Sequence, residues 1–145
     1  MKINKVSKSG AAPSKVKAPQ AVEGTSFSDL MGDKRESDTR HELEQLMLAI
    51  RSEGDKLVDA KNIEVLVHYK RMVKDFVSRA VDFAFEIQDR KGLSRFGRGK
   101  VLKVVSQIDA SLVEITQEFL AEERNRIKLL SKIGELQGML LNIYA

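Results

Sequence analysis

The sequence predicts an all-α protein, a helical bundle of three to four helices preceded by a disordered tail, and three observations carry that reading. Apolar residues recur at helical spacing from Leu43 to Ile143. The two prolines, Pro13 and Pro19, both precede residue 20, so only glycine interrupts the backbone beyond Gln20. The chain of 145 residues has no cysteine, and at this length a single core buries roughly two-thirds of the unfolded surface without disulfides or metals.

Residues 1–36 read as a basic tail and residues 37–145 as the bundle domain. Up to about residue 26 the tail mixes Gly, Ala, Pro, Ser and Lys with isolated Ile3, Val6, Val16 and Val22, too scattered to bury. Residues 1–24 hold five lysines against Glu23 alone, which accounts for the whole net charge of +4 and leaves the remainder neutral. Basicity is therefore a property of the tail, and it does not mark the body as a nucleic-acid-binding fold. Phe27, Leu30 and Met31 form the one apolar cluster of this stretch, and residues 27–31 read as a short turn docking on the body.

The first helix is expected to start at Ser37-Asp38-Thr39, where Thr39 and Glu42 have the spacing of a reciprocal capping box. Leu43, Leu46, Met47, Ile50, Leu57 and Val58 share one face, and Gly54 should weaken or bend the helix before it ends near Ala60. Asn62 is the expected N-cap of a second helix running to about Asp89, with Ile63, Leu66, Tyr69 or Lys70, Val73, Phe76, Val77, Ala80, Phe83, Ala84 and Ile87 on its apolar face. Its other face, with Arg71, Lys74, Asp75, Arg79 and Asp82, reads as solvated.

A glycine-marked loop over residues 90–99 precedes a helical pattern that continues to Ile143. Val101, Val104, Val105, Ile108, Leu112, Ile115 and Phe119 form its first stripe; Ile127, Leu130, Ile133, Leu136, Leu140 and Ile143 form its second. Between them, residues 121–126 offer nothing apolar larger than alanine. The pattern admits one long C-terminal helix with a polar waist or a break into a fourth helix. The apolar run from Met139 to Tyr144 suits burial in the bundle and dimerisation alike.

The local feature most suggestive of binding is residues 90–100, with Arg90, Lys91, Arg95, Arg98 and Lys100 and no acid, ending at a helix start. Free N–H groups and the positive end of the helix dipole suit an anion there, and Phe96 with the guanidinium groups suits stacking on a base. Gly97-Arg98-Gly99-Lys100 lacks the rest of a P-loop, and no strand precedes it. The competing reading is a flexible interhelical turn kept soluble by its charges.

No catalytic residue, metal site or cofactor site emerges. His41 and His68 fall in different helices with no ligand spacing, and Glu122-Glu123 and Glu42 with Glu44 sit in charged surroundings that would not raise a carboxyl pKa. No run approaches the ~20 apolar residues of a membrane span, and no apolar segment follows the N-terminal lysines. The expectation is a non-enzyme of the cytoplasm without a membrane partner, and the absence of cysteine fits that reducing compartment.

Tyr69-Lys70-x-x-Val73-Lys74-x-Phe76, Gly97-Arg98-Gly99-Lys100-Val101, Ile108-Asp109 and Lys132-Ile133-x-Glu135-Leu136-Gln137-Gly138-x-Leu140-Leu141-x-x-Tyr144 resemble the YaaR-like family of small bacterial helical proteins. The resemblance covers the second half of the chain and, loosely, the first helix. It implies an all-helical fold and a bacterial cytoplasmic setting, and it supplies no activity or binding residues.

Three functions compete on this reading. The first is a non-catalytic interaction or scaffold protein that self-associates or binds another protein. The second is an accessory that binds nucleic acid or nucleotide phosphate through residues 90–100 and the tail, with binding that falls steeply as salt rises. The third, an enzyme with a site in the bundle core, requires buried polar groups that the apolar stripes hardly contain.

Overall fold

The computed structural model describes residues 27–92 and 95–144, apart from the side chains of Ser28, Arg95 and Phe96. The described residues form four helices in succession: α1 (Phe27–Asp59), α2 (Ile63–Lys91), α3 (Arg95–Leu120) and α4 (Arg126–Leu141). The tail assigned to residues 1–26 lies outside the described residues. Two units divide within α1, between Thr39 and Arg40.

In the first unit, the helix begins at Phe27 where the sequence reading expects a docking turn and a tail reaching residue 36. Thr39 and Glu42 are interior to α1, so their capping-box spacing marks no helix start. Asp29 places a negative charge in the first turn, where it complements the helix dipole. Phe27, Leu30 and Met31 are exposed.

The second unit holds the core. Leu43, Met47, Ile50, Leu57 and Val58 of α1 meet Tyr69, Val73 and Phe76 of α2, Ile108, Leu112 and Ile115 of α3, and Leu129, Ile133, Leu136 and Leu140 of α4 in one apolar cluster. α3 packs along both α2 and α4. At one end, Arg124 contacts the carbonyls of Val58 and Ala60; at the other, the Arg40 guanidinium lies over the rings of Phe83 and Tyr144. Successive helices therefore run in alternating directions, an up-down-up-down bundle.

The polar stretch after Leu120 breaks the helix, which settles the choice between one C-terminal helix and two. Asn125 caps α4 by accepting the Lys128 backbone N–H (3.0 Å), and its own N–H donates to Glu118 Oε2 (2.9 Å). The expected cap of α2 forms likewise, with Asn62 Oδ1 accepting the Glu64 N–H at 2.8 Å. α2 ends at Gly92, whose φ of 74° is the left-handed conformation that glycine adopts without penalty.

Two details depart from the expected core. α1 runs through Gly54 without interruption, and this glycine is a packing notch: a Cβ there would lie 3.0 Å from Ile133 Cγ2 and 3.4 Å from Tyr69 Cε1. On α4, Leu129 takes the buried position, while Ile127 is 78 % and Leu130 43 % exposed. The new helix start after the break resets the phase of the stripe. Tyr69 is fully buried, and its hydroxyl has no hydrogen-bond partner among the described residues. Burial pushes that phenol well above the usual tyrosine range, so it stays neutral.

Candidate functional site

The basic segment singled out in the sequence lies at the α2–α3 end of the bundle. Arg90 and Lys91 occupy the last turn of α2, where positive charge complements the carbonyl end of the helix. Gly97, Arg98 and Lys100 belong to the first turns of α3. Leu93 and Ser94, and the side chains of Arg95 and Phe96, lie outside the described residues, so the stacking proposed for Phe96 has no geometry here.

Arg98 is committed to a structural contact. Its Nη2 donates to both carboxylate oxygens of Asp89, at 2.8 and 2.9 Å, and its guanidinium lies 4.8 Å from the centre of the Phe85 ring. This clamp ties the end of α2 to the start of α3 and neutralises one of the five cations. Asp89 stands one residue before the acid-free window, which is why counting charge within that window overlooked it. A Cβ at Gly97 would sit 2.6 Å from Cδ and Nε2 of Gln88, the far end of a flexible side chain that would have to move aside.

Lys91 and Lys100 remain on the surface and line a groove of about 240 Å³ with Gln88, Gly97, Asn142 and Tyr144. Its floor is apolar, from Ala84, Ile87, Val101 and Ile143. The structure thus brings together two of the six sequence candidates and assigns a third to the interhelix clamp.

The opposite end is a set of fastenings. Arg124 donates from Nη1 to the carbonyls of Val58 (3.2 Å) and Ala60 (2.6 Å), and from Nε and Nη2 to that of Phe119 (3.2 and 3.0 Å). Its guanidinium also covers the Phe119 ring at 4.0 Å. One side chain therefore satisfies carbonyls at the C-terminal ends of two helices. Arg126 hydrogen-bonds Asp59 through both oxygens, which lowers the carboxyl pKa. Glu118 is lowered mainly by the Asn125 backbone N–H, and Glu114 by the Lys132 ammonium at 2.7 Å. These depressed carboxylates are surface fastenings between α3, α4 and α1, and none is poised for proton transfer near neutrality.

Two kinds of surface were overlooked in the sequence. Lys70, Arg71 and Lys74 line one groove with Val67, and of these cations the sequence reading assigns Arg71 and Lys74 to an ordinary solvated face. Large apolar side chains also line up outward. Leu102, Val113 and Leu120 are exposed on α3 at intervals of 11 and 7 residues, which places them within about 20° of one another around the helix. Ile127 and Leu130 are exposed on α4. The signal was present as extra apolar positions outside each buried stripe. Among the described residues no three His, Cys, Asp or Glu gather as a metal site, and no helix is long and apolar enough to cross a membrane.

Comparison with known proteins gives a consistent lineage. The profile of a family described as protein of unknown function (DUF327) matches residues 2–144. The uncharacterized protein YaaR of Bacillus subtilis (strain 168) is 31 % identical over 145 residues, covering 99 % of each chain. The crystal structure of the uncharacterized protein BH1478 from Bacillus halodurans superposes with a TM-score of 0.77 at 38 % identity, covering 83 % of this chain and 98 % of that one. A second structure, Moevan, a designed granulopoietic protein made by topological rescaffolding, gives a TM-score of 0.69 at 32 % identity, covering 77 % of this chain and 95 % of the design.

Proposed function

The chain belongs to the DUF327, YaaR-like family, and from that premise we propose that it is a non-catalytic helical interaction protein whose outward helix faces bind other protein surfaces. The observation that carries this reading is the alignment of Leu102, Val113 and Leu120 on α3, and of Ile127 and Leu130 on α4, as exposed apolar residues on helices whose inward faces are already filled. Scattered single exposed apolar residues need no explanation, whereas contiguous ones, such as Ile127 and Leu130 one turn apart on α4, mark contact surfaces. A bacterial cytoplasmic setting fits the family and the cysteine-free composition.

A second reading, phosphate binding at the α2–α3 tip, is favoured by the convergence of Lys91 and Lys100 on one groove. A pull-down from bacterial lysate, with and without nuclease, separates the two. The variant for this purpose is Lys91→Glu with Lys100→Glu, because altering Arg98 would also break its clamp on Asp89. The interaction reading predicts protein partners that persist after nuclease treatment and with both lysines replaced. Nucleic acid that copurifies with the wild type and is lost from the variant, with no protein retained, would overturn it in favour of the second.

A further inference from the structure

We infer that the outward face of α2 around Val67 docks an acidic amphipathic helix of a partner protein, whose carboxylates meet Lys70, Arg71 and Lys74. This rests on the interaction reading above, adds a third face to it and names the chemistry of the partner. Ile63, Lys70, Arg71 and Lys74 lie within about 60° of Val67 around the helix. Ile63 is 52 % and Val67 46 % exposed, and Val67 lines a groove of about 300 Å³ with the three cations.

The monomer gives these cations no acid. On the same bundle Lys56, Arg79, Arg98, Arg126, Lys128 and Lys132 each have a carboxylate within 3.6 Å. Lys70, Arg71 and Lys74 make no ion pair or side-chain hydrogen bond among the described residues. Lys70 and Lys74 have no acid three or four residues away in either direction, and Asp75, one turn from Arg71, turns to Arg79 at 3.4 Å. Like charges one turn apart oppose helix formation. Lys74 stands one turn from both Lys70 and Arg71, a cost that an outside carboxylate relieves.

Charge and apolar surface together select the occupant. Residues 1–24, with five lysines against Glu23, bring more positive charge, and so does this same face of a second copy. A continuous polyanion fits no better, because Glu64 and Asp75 bracket the cluster along the helix and the groove has no aromatic ring on which a base could stack. Ile63 and Val67 also offer apolar contact that a phosphate does not use. A short segment with both characters matches: carboxylates one turn apart, to follow the roughly 6 Å of axial rise between Lys70 and Lys74, and an apolar side chain beside them to cover Val67. A helix with that pattern enters such a groove by its own amphipathic face.

Photo-cross-linking in living bacteria from a benzophenone side chain at Ile63 and, separately, at Val67, with the captured peptide sequenced, tests this. The expected adduct is a protein segment with acidic residues at helical spacing. A synthetic peptide of that segment should bind the purified full chain with an affinity that falls as salt rises, and at least tenfold more weakly to Lys70→Glu. That variant should melt no lower than the wild type, since a glutamate four residues before Lys74 forms a favourable helix pair. Changing one facing carboxylate of the peptide to lysine should restore binding to Lys70→Glu. A captured segment without an excess of acid, nucleic acid in place of protein, or a peptide bound equally by wild type and Lys70→Glu would overturn the inference. Silence at Ile63 and Val67 with protein adducts at Leu102 or Ile127 would overturn it alone; silence at all four positions would overturn the interaction reading as well.

Discussion

Arg124→Ala is expected to destabilise the fold by about 3 kcal/mol, since hydrogen bonds involving a charged group contribute roughly 1.5–3 kcal/mol each and are not additive. Arg124 is half-buried and donates to three carbonyls, two at the end of α1 and one at the end of α3. Its loss leaves helix ends unsatisfied on both sides of the bundle and removes the contact with the Phe119 ring. For a domain of this size the midpoint of thermal unfolding should fall by about 10 °C. Arg124→Lys should recover less than half of that, because an ammonium has one nitrogen and no planar face to spread over the ring. Circular dichroism melts of the three proteins check it. A change smaller than about 1 kcal/mol would mean that water serves these carbonyls as well as the guanidinium does.

Gly54→Val should be comparably damaging, by about 3 kcal/mol, for the opposite reason. The first added carbon already lies 3.0 Å from Ile133 Cγ2 and 3.3 Å from Gln137 Nε2, and valine adds two methyls with little freedom to turn away. α1 and α4 must then separate, or Ile133 and Tyr69 must leave their places in the core. Gly54→Ala should stay within about 1 kcal/mol of wild type, because relief of the glycine penalty offsets the tight contact. Gly134→Ala and Gly138→Ala face open space and should each stabilise the folded monomer by about 1 kcal/mol. Chemical denaturation of the four variants separates the inward notch from the outward ones.

Much of the fold was legible because the buried stripes of α1, α2 and α3 each have a single phase. Asn62 was identifiable as a cap because an apolar periodic segment follows it directly. Three features were hidden for physical reasons. The Ser37-Asp38-Thr39 cluster imitates a helix start, yet these residues cost little in an exposed helix interior, and α1 continues through them back to Phe27. α4 is apolar on more than one side, so Ile127 and Leu130 fit an inward stripe as well as Leu129 does, and only the neighbouring helices decide between them. Gly54 weakens a helix in isolation, and its value lies in what approaches it from α2 and α4.

The candidate site was legible only as a density of charge. Position along the chain located the basic tip but could not show that Arg98 is spent on Asp89 and Phe85, or that Lys91 and Lys100 share one groove. Tertiary pairing across the α2–α3 turn makes that distinction. Lys70, Arg71 and Lys74, by contrast, gather around Val67 at i+3, i+4 and i+7 of one helix, a spacing that the sequence itself carries.

If the outward apolar faces are contact surfaces, a photo-cross-linking scan in living bacteria should capture their partners. A photoreactive residue placed singly at Leu102, Val113, Ile127, Leu130, Arg79, Lys91 and Lys100 reads each surface in turn. Discrete protein adducts are expected at the first four positions and none at Arg79, whatever is found at the two lysines. Adducts confined to Lys91 and Lys100, with the apolar positions silent, would contradict the contact-surface reading.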